Sequence, residues 1–369
     1  MNKRISMVLT LFFALMFTLP AGVHARTITD MAGRSVEIPN KVERVICSGP
    51  GCLRYLTYLQ GQDMIVGVDS IEQRDNKFDA RPYALANPQF KKQPLIGEFR
   101  GHDNPELILG LAPQPQVIFK TYKEMGYDPD ELQAKTGIPV ICLSYSSLAG
   151  ERDAIYKSLQ LMGDVIGKPA RAKAVCDFME EQITDLYGRT SAIPEQERKS
   201  CYVGGIAKKG PHGLQSTEPA YPPFRFVNAQ NVACPPADKG KPLQHANVSK
   251  EQIVSWNPEI LFVDISTCQL GDNAGAVYEL STDPAYQALD AVIKDEVYTV
   301  LPYNWYSMNY GSILADAYYV GKVLYPERFK DIDPKAKADA IYSFLVGKPV
   351  FSAMEKSFSE KAFSRLAPR

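Results

Sequence analysis

Histidine is scarce in this chain, at 4 of 369 residues. Only His102, His212 and His245 lie beyond the first 25 positions. They fall in predicted loops near strand ends, but their neighbours lack the spacing of a zinc site. They are therefore only second-choice candidates for metal ligands, and no metal site is expected. Catalytic signatures are missing too: no Gly-x-Ser-x-Gly elbow, no His-Glu-x-x-His and no dinucleotide fingerprint. Glu251 and His245 could form an acid/base pair, but nothing supplies a nucleophile beside them. A secreted hydrolase is thus a remote alternative, and no enzyme activity is expected. Excess charge of one sign is also absent. With 41 basic and 42 acidic residues the net charge is -1, which gives no electrostatic case for binding nucleic acid or an anionic membrane.

Long apolar runs are absent with one exception, MNKRISMVLTLFFALMFTLPAGVHA at residues 1–25. Lys3 and Arg4 precede a short apolar core, and Val23-His24-Ala25 is a small-x-small cleavage signal, the pattern of a secretory signal peptide. The run is too short to span a bilayer comfortably, and no cysteine follows it to carry a lipid anchor. A soluble, periplasmic, monomeric product is expected. Its 7 cysteines are an odd number, and their spacing is not that of a disulfide scaffold. Cys47 and Cys52 are near enough to pair or to be two buried thiols.

What is present is alternation. VERVICS, MIVGVD, QVIFK and IPVICLSY read as strands, with helices between them at CLRYLTYLQG, Asn104-Pro105-Glu106 and DPDELQAKTG. This rhythm predicts a mostly parallel sheet covered by helices. Residues 151–190 break it with two helices and no strand, the second opened by Pro169. Alternation then resumes with CYVGGIA, SKEQIVSW, EILFVDI, DPAYQAL and VYTVLP, and SILADAYYVGKVLYP forms a last long helix. The predicted fold is α/β: two Rossmann-like lobes, at 26–167 and 191–369, joined by a single long backbone helix at 168–190. Such a rod should keep hinge motion small.

The two lobes share a short phrase. Glu106 stands seven residues before Pro113 and Glu251 seven before Pro258, each in a helix that leads into an apolar strand. Both fall in a first turn, where the helix dipole favours a carboxylate. Simple capping preference would explain either one alone.

Ligands of open α/β lobes gather beyond the carboxyl ends of the strands. Four segments fall there. CSGPGCLRY carries Ser48, Gly49 and Gly51, whose backbone amides could face an anion, and then Arg54 and Tyr55. It is no nucleotide loop, because the Gly-Lys-Ser/Thr ending is absent; a plain tight turn is the alternative. GEFRGHDNPE carries Arg100 and His102. GPHGLQSTEPAYPPF carries His212, Ser216 and Tyr221. PYNWYSMNYG carries Tyr303, Trp305 and Tyr306, more aromatic surface than a connection needs. Such a wall suits a flat macrocycle or a catecholate chelate.

In order and coverage, ITDMAGRSVEIPNKVERVI, TGIPVICLS, VSKEQIVSWNPEILFV and GSILADAYYVGKVLYPERFKDID resemble the class III, helical-backbone substrate-binding proteins of ATP-driven importers. These take up iron–siderophore, haem, cobalamin and sometimes molybdate. The resemblance implies that Glu106 and Glu251 grip arginines of an integral-membrane permease. One departure is visible: APQPQVIF holds two more residues between its first proline and the strand than the second copy does. The ligand implied is an iron(III) chelate of the siderophore, haem or corrinoid type, with molybdate or tungstate as the alternative and no cofactor.

Overall fold

The structure, a computed structural model, describes residues 25–234 and 243–367. The expected signal peptide lies outside them, apart from Ala25. Ala25 opens the antiparallel hairpin of β1 (Ala25–Thr29) and β2 (Ser35–Pro39).

The first half is built on three parallel strands in the order β3-β7-β8, where β3 is Val45–Ser48, β7 is Val117–Thr121 and β8 is Val140–Leu143. All three are buried throughout, which is why their sequences are mainly apolar rather than alternating. A bridge from Val45 to Ile65 joins β3 to a second small sheet. It consists of β4 (Val68–Asp69), β5 (Leu95–Glu98) and β6 (His102–Asp103). Lys120 interrupts the apolar run of β7. Its ammonium is fully buried and pairs with Asp103 at 2.9 Å, and Ser48 donates to the same carboxylate at 2.7 Å.

The second half has a five-stranded sheet, β11-β9-β13-β14-β15. Here β9 is Ser200–Gly204, β11 is Gln230–Asn231, β13 is Ile260–Asp264, β14 is Val297–Val300 and β15 is Arg365–Leu366. Only β15 runs antiparallel. A separate two-stranded ribbon pairs β10 (Ser216–Thr217) with β12 (Ala246–Asn247).

The connecting helix runs from Pro169 to Thr190, 22 residues, or about 33 Å at 1.5 Å per residue. Its buried stripe of Ala172, Val175, Cys176, Met179, Ile183 and Leu186 follows the helical period. Arg171 ties it to both sides, donating to the Tyr58 carbonyl at 2.9 Å and also to the carbonyl of Phe344.

The helix Tyr310–Leu324 is not the last one. Two more follow, Pro334–Val346, capped by Asp333, and Phe351–Ser357. They lie against the first half: Lys348 donates to the Ala86 carbonyl at 2.6 Å, and the Phe78 and Phe358 rings are 5.4 Å apart. One apolar core accordingly runs from Val36 to Phe363 across both halves. Cys47, Cys52, Cys142, Cys176, Cys201 and Cys268 are free thiols. Cys47 and Cys52 are both buried, and Cys52 donates to the Phe119 carbonyl at 3.3 Å. No helix of the described residues is long and apolar enough to cross a membrane.

Candidate functional site

The halves meet where loop 302–309 of the second presses on the strand ends of the first. Arg54 is the centre of that contact. It sits in the helix Cys52–Tyr58, is 1% exposed, and forms no ion pair among the described residues. Its guanidinium donates to the carbonyls of Met308 (2.9 Å), Tyr306 (3.1 Å) and Trp305 (3.3 Å) and to the Tyr145 hydroxyl. Tyr145 passes the link on, donating to the Met308 carbonyl at 2.5 Å. The rings of Tyr83 and Tyr145 flank the guanidinium at 5.1 and 5.6 Å, close enough for cation–π attraction. Nε of Arg54 has no partner. Burial opposes the charge, but the Tyr145 hydroxyl and the three carbonyls that accept from the guanidinium favour its protonated form, so Arg54 stays a cation.

Around it lies a tyrosine cluster. Tyr145 stacks on Tyr310 at 5.1 Å and packs against Tyr55 at 4.8 Å and Tyr122 at 6.1 Å. Tyr55 donates to the Ser144 carbonyl at 3.0 Å, and Tyr310 to that of Ser146 at 2.9 Å. Burial raises the phenol pKa of Tyr55, Tyr145 and Tyr310, so all three are neutral donors. An open depression of about 820 Å³ lies beside them, with Tyr122, Tyr145, Lys123 and Arg152 in its lining.

Of the predicted ligand residues, Arg54, Tyr55, Trp305, Tyr306 and the Arg100 backbone are brought to this contact. Tyr306 donates to Asp69, and its oxygen accepts from the Arg100 amide at 3.0 Å. The Arg100 side chain is exposed, its guanidinium 5.2 Å from the Phe99 ring. Trp305 is partly buried, edge-on to Phe358 at 6.1 Å. The turn at Gly49 and Gly51 serves packing. Both have left-handed φ, 85° and 84°. A Cβ on Gly49 would sit 2.6 Å from the Thr121 carbonyl, and one on Gly51 would overlap the Tyr145 ring. Ser48 is spent on Asp103.

The others point elsewhere. Tyr303 is buried and donates to Glu218, whose carboxyl burial pushes up to about 8. Tyr221 is buried against Phe224, edge-on at 4.8 Å, with its hydroxyl unpartnered. Ser216 donates to the Ile206 carbonyl at 2.7 Å and bonds His245 at 2.9 Å. His212 bonds the Lys208 carbonyl at 2.8 Å, and its ring lies 6.3 Å from that of His245. His102 is exposed. Among the described residues no group of three or more His, Cys, Asp or Glu could hold a metal.

Asp69, Tyr122, Tyr145, Ser307 and Asn309 were not singled out from sequence. Asn309 is fully buried and donates to the carbonyls of Tyr303 (3.0 Å) and Trp305 (3.1 Å), which shapes the loop from within. Tyr122 follows directly on β7 and Tyr145 stands two residues beyond β8, so the strand-end rule applied to every strand reaches them.

Glu106 and Glu251 are both exposed, each in the first turn of its helix. Asn104 caps one helix, accepting from Glu106 N at 2.9 Å; Ser249 caps the other, accepting from Gln252 N at 3.2 Å. Bonds to its own backbone and to Ser249 hold the Glu251 carboxyl below its usual range.

Residues 45–303 match the model of the periplasmic binding protein family. The molybdate-binding protein MolA of Haemophilus influenzae is 23% identical over 337 residues, covering 84% of this chain and 87% of the relative. Its molybdate-bound structure superposes with a TM-score of 0.66 at 20% identity, covering 88% and 98% of the two chains. The Bacillus subtilis substrate-binding lipoprotein YvrC is 21% identical over 83% of this chain and 87% of its own. The TroA-like binding protein FepB of Veillonella parvula gives a TM-score of 0.61 at 21% identity, covering 87% and 96%. The chain therefore belongs to the periplasmic binding protein family, as a class III substrate-binding component of an ATP-driven importer and not an enzyme.

Proposed function

We propose that this protein captures a small oxyanion of the molybdate or tungstate kind between its halves and delivers it to a membrane permease. The observation that carries the proposal is Arg54: a guanidinium 1% exposed, at the contact between the halves, with no carboxylate in contact. Burying a cation without an anion costs several kcal/mol, and a few convergent polar groups in an otherwise apolar pocket are what orient a ligand. Carbonyl oxygens now fill the positions that an oxyanion's oxygens would take, and Arg54 with the Tyr145 hydroxyl offers donors suited to it. The molybdate named for the similar MolA supports the same class. Calorimetric titration tests it: molybdate or tungstate should bind wild type, and Arg54→Gln should lose at least tenfold in affinity. Unchanged affinity in Arg54→Gln removes the assignment.

An iron(III) chelate of the siderophore, haem or corrinoid type is the second reading. It is favoured by the depression of about 820 Å³ beside Tyr122 and Tyr145. Protein purified from iron-replete periplasm separates the two: bound iron with visible colour supports the chelate, bound molybdenum without colour the oxyanion. On either reading Glu106 and Glu251, one exposed carboxylate per half, are the handles that meet basic residues of the permease.

A further inference from the structure

Asp69 is where the first half holds the ligand loop of the second. It ends β4, is 6% exposed, and has no cation in contact. The nearby Arg81 is committed to Glu72 at 2.9 Å and Asp79 at 2.8 Å. One Asp69 oxygen accepts from the Ile71 amide at 3.3 Å, and the other accepts the proton of Tyr306. The Tyr306 oxygen also accepts from the Arg100 amide at 3.0 Å. A single phenol from the second half is thus fixed at two points on the first. Backbone strain accompanies the fixing. Arg100, Tyr306 and Ser307 have φ of 65°, 49° and 67°, a region non-glycine residues enter at an energetic cost, and such residues gather at ligand clamps and switches. The loop so held lays its carbonyls on Arg54.

We propose that Asp69 is a positioning residue for ligand capture: through Tyr306 it holds loop 302–309 over Arg54, so an anion competes with the chain's own carbonyls. The proposal rests on the cleft being the ligand site. Apparent affinity is the intrinsic affinity divided by the fraction of molecules with the loop released, and the Asp69–Tyr306 bond sets that fraction. The charged and titratable groups facing Asp69 are Glu72 from the following helix, Arg81 behind it, Cys47 from β3 and Tyr306 from the loop. Burial first, then the charge of Glu72, pushes the Asp69 carboxyl up to about 7. The bond from Tyr306 opposes both.

The chain has 2 tryptophans, so a Trp256→Phe background leaves Trp305, inside the loop, as the only indole reporter. In that background Tyr306→Phe, which keeps the ring, and Asp69→Asn are compared with the parent. Without ligand, Trp305 emission should shift to the red and its acrylamide quenching increase in both. Molybdate should bind both roughly tenfold more tightly, the scale of one charge-assisted hydrogen bond. Unchanged Trp305 emission in both variants overturns the proposal. So does weaker molybdate binding in both, which would make these residues direct ligand contacts. If the parent binds neither molybdate nor tungstate, the oxyanion reading fails, and the emission of the ligand-free variants still decides the role of Asp69.

Discussion

The Tyr122 hydroxyl of the first half meets the Ser307 hydroxyl of the second at 2.7 Å, and both residues have left-handed backbones, with φ of 50° and 67°. Neither is glycine, so each stores conformational energy on its own side of the contact. The contact is a joint between two strained loops.

Ser307→Gly should relieve that strain. It removes the hydroxyl bond but permits φ of 67° without steric cost, so thermal stability should change by less than about 1 kcal/mol. Ser307→Val, branched at a left-handed position, should lose about 1–3 kcal/mol. Denaturant midpoints for the pair check this; equal losses would place the cost in the lost hydrogen bond rather than the backbone.

Gly51→Ala should be damaging out of proportion to its size. The new methyl would meet the Tyr145 ring and take up φ of 84°. Displacing Tyr145 also disturbs its bond to Arg54. Destabilisation of about 2 kcal/mol or more should come with weakened ligand binding, read by melting temperature and calorimetry together.

Stability should fall as pH rises from about 4 to 8. Burial pushes the Asp264 carboxyl up to about 7, against the opposing bonds from Ser266, and Glu218 up to about 8. A carboxyl whose folded pKa lies above its unfolded value favours the folded state fully below the unfolded pKa and loses that contribution as pH passes the folded one. One Asp264 oxygen accepts from the Ser266 amide at 2.8 Å, and the other has no partner. Asp264→Asn should therefore flatten the pH dependence of the melting temperature and gain a few degrees near pH 8. An unchanged slope would show that Asp264 does not carry it.

Charge removal at Glu106 and Glu251 should abolish uptake while leaving ligand affinity intact. Both carboxylates are exposed, and neither is among Arg54's partners. Binding by calorimetry alongside transport in cells separates the roles; parallel loss of both would end the docking assignment.

Much of the architecture is legible because it is written locally. Pro169 opens the connecting helix at the expected residue, and Asn104 and Ser249 cap the two Glu helices. The buried strands of both halves are mainly apolar. The helices Pro334–Val346 and Phe351–Ser357 went unread although Asp333-Pro334 carries the same cap and first-turn proline as Asn104-Pro105. The site was legible only in outline. Arg54 and the aromatic loop could be named, but what they touch could not. Arg54 is held by backbone carbonyls, which have no side-chain signature, and Tyr306 finds Asp69 from 237 positions away. The glycines of CSGPGC suit either an anion or a plain tight turn in the sequence; in the fold their absent side chains make room for Tyr145 and Thr121.

The return of the C-terminal helices to the first half bears on the order of folding. Phe358 packs on Phe78 and Lys348 reaches Ala86, so surfaces made early in synthesis are completed only by residues made near its end. The leading half lacks part of its packing until the trailing helices have been made.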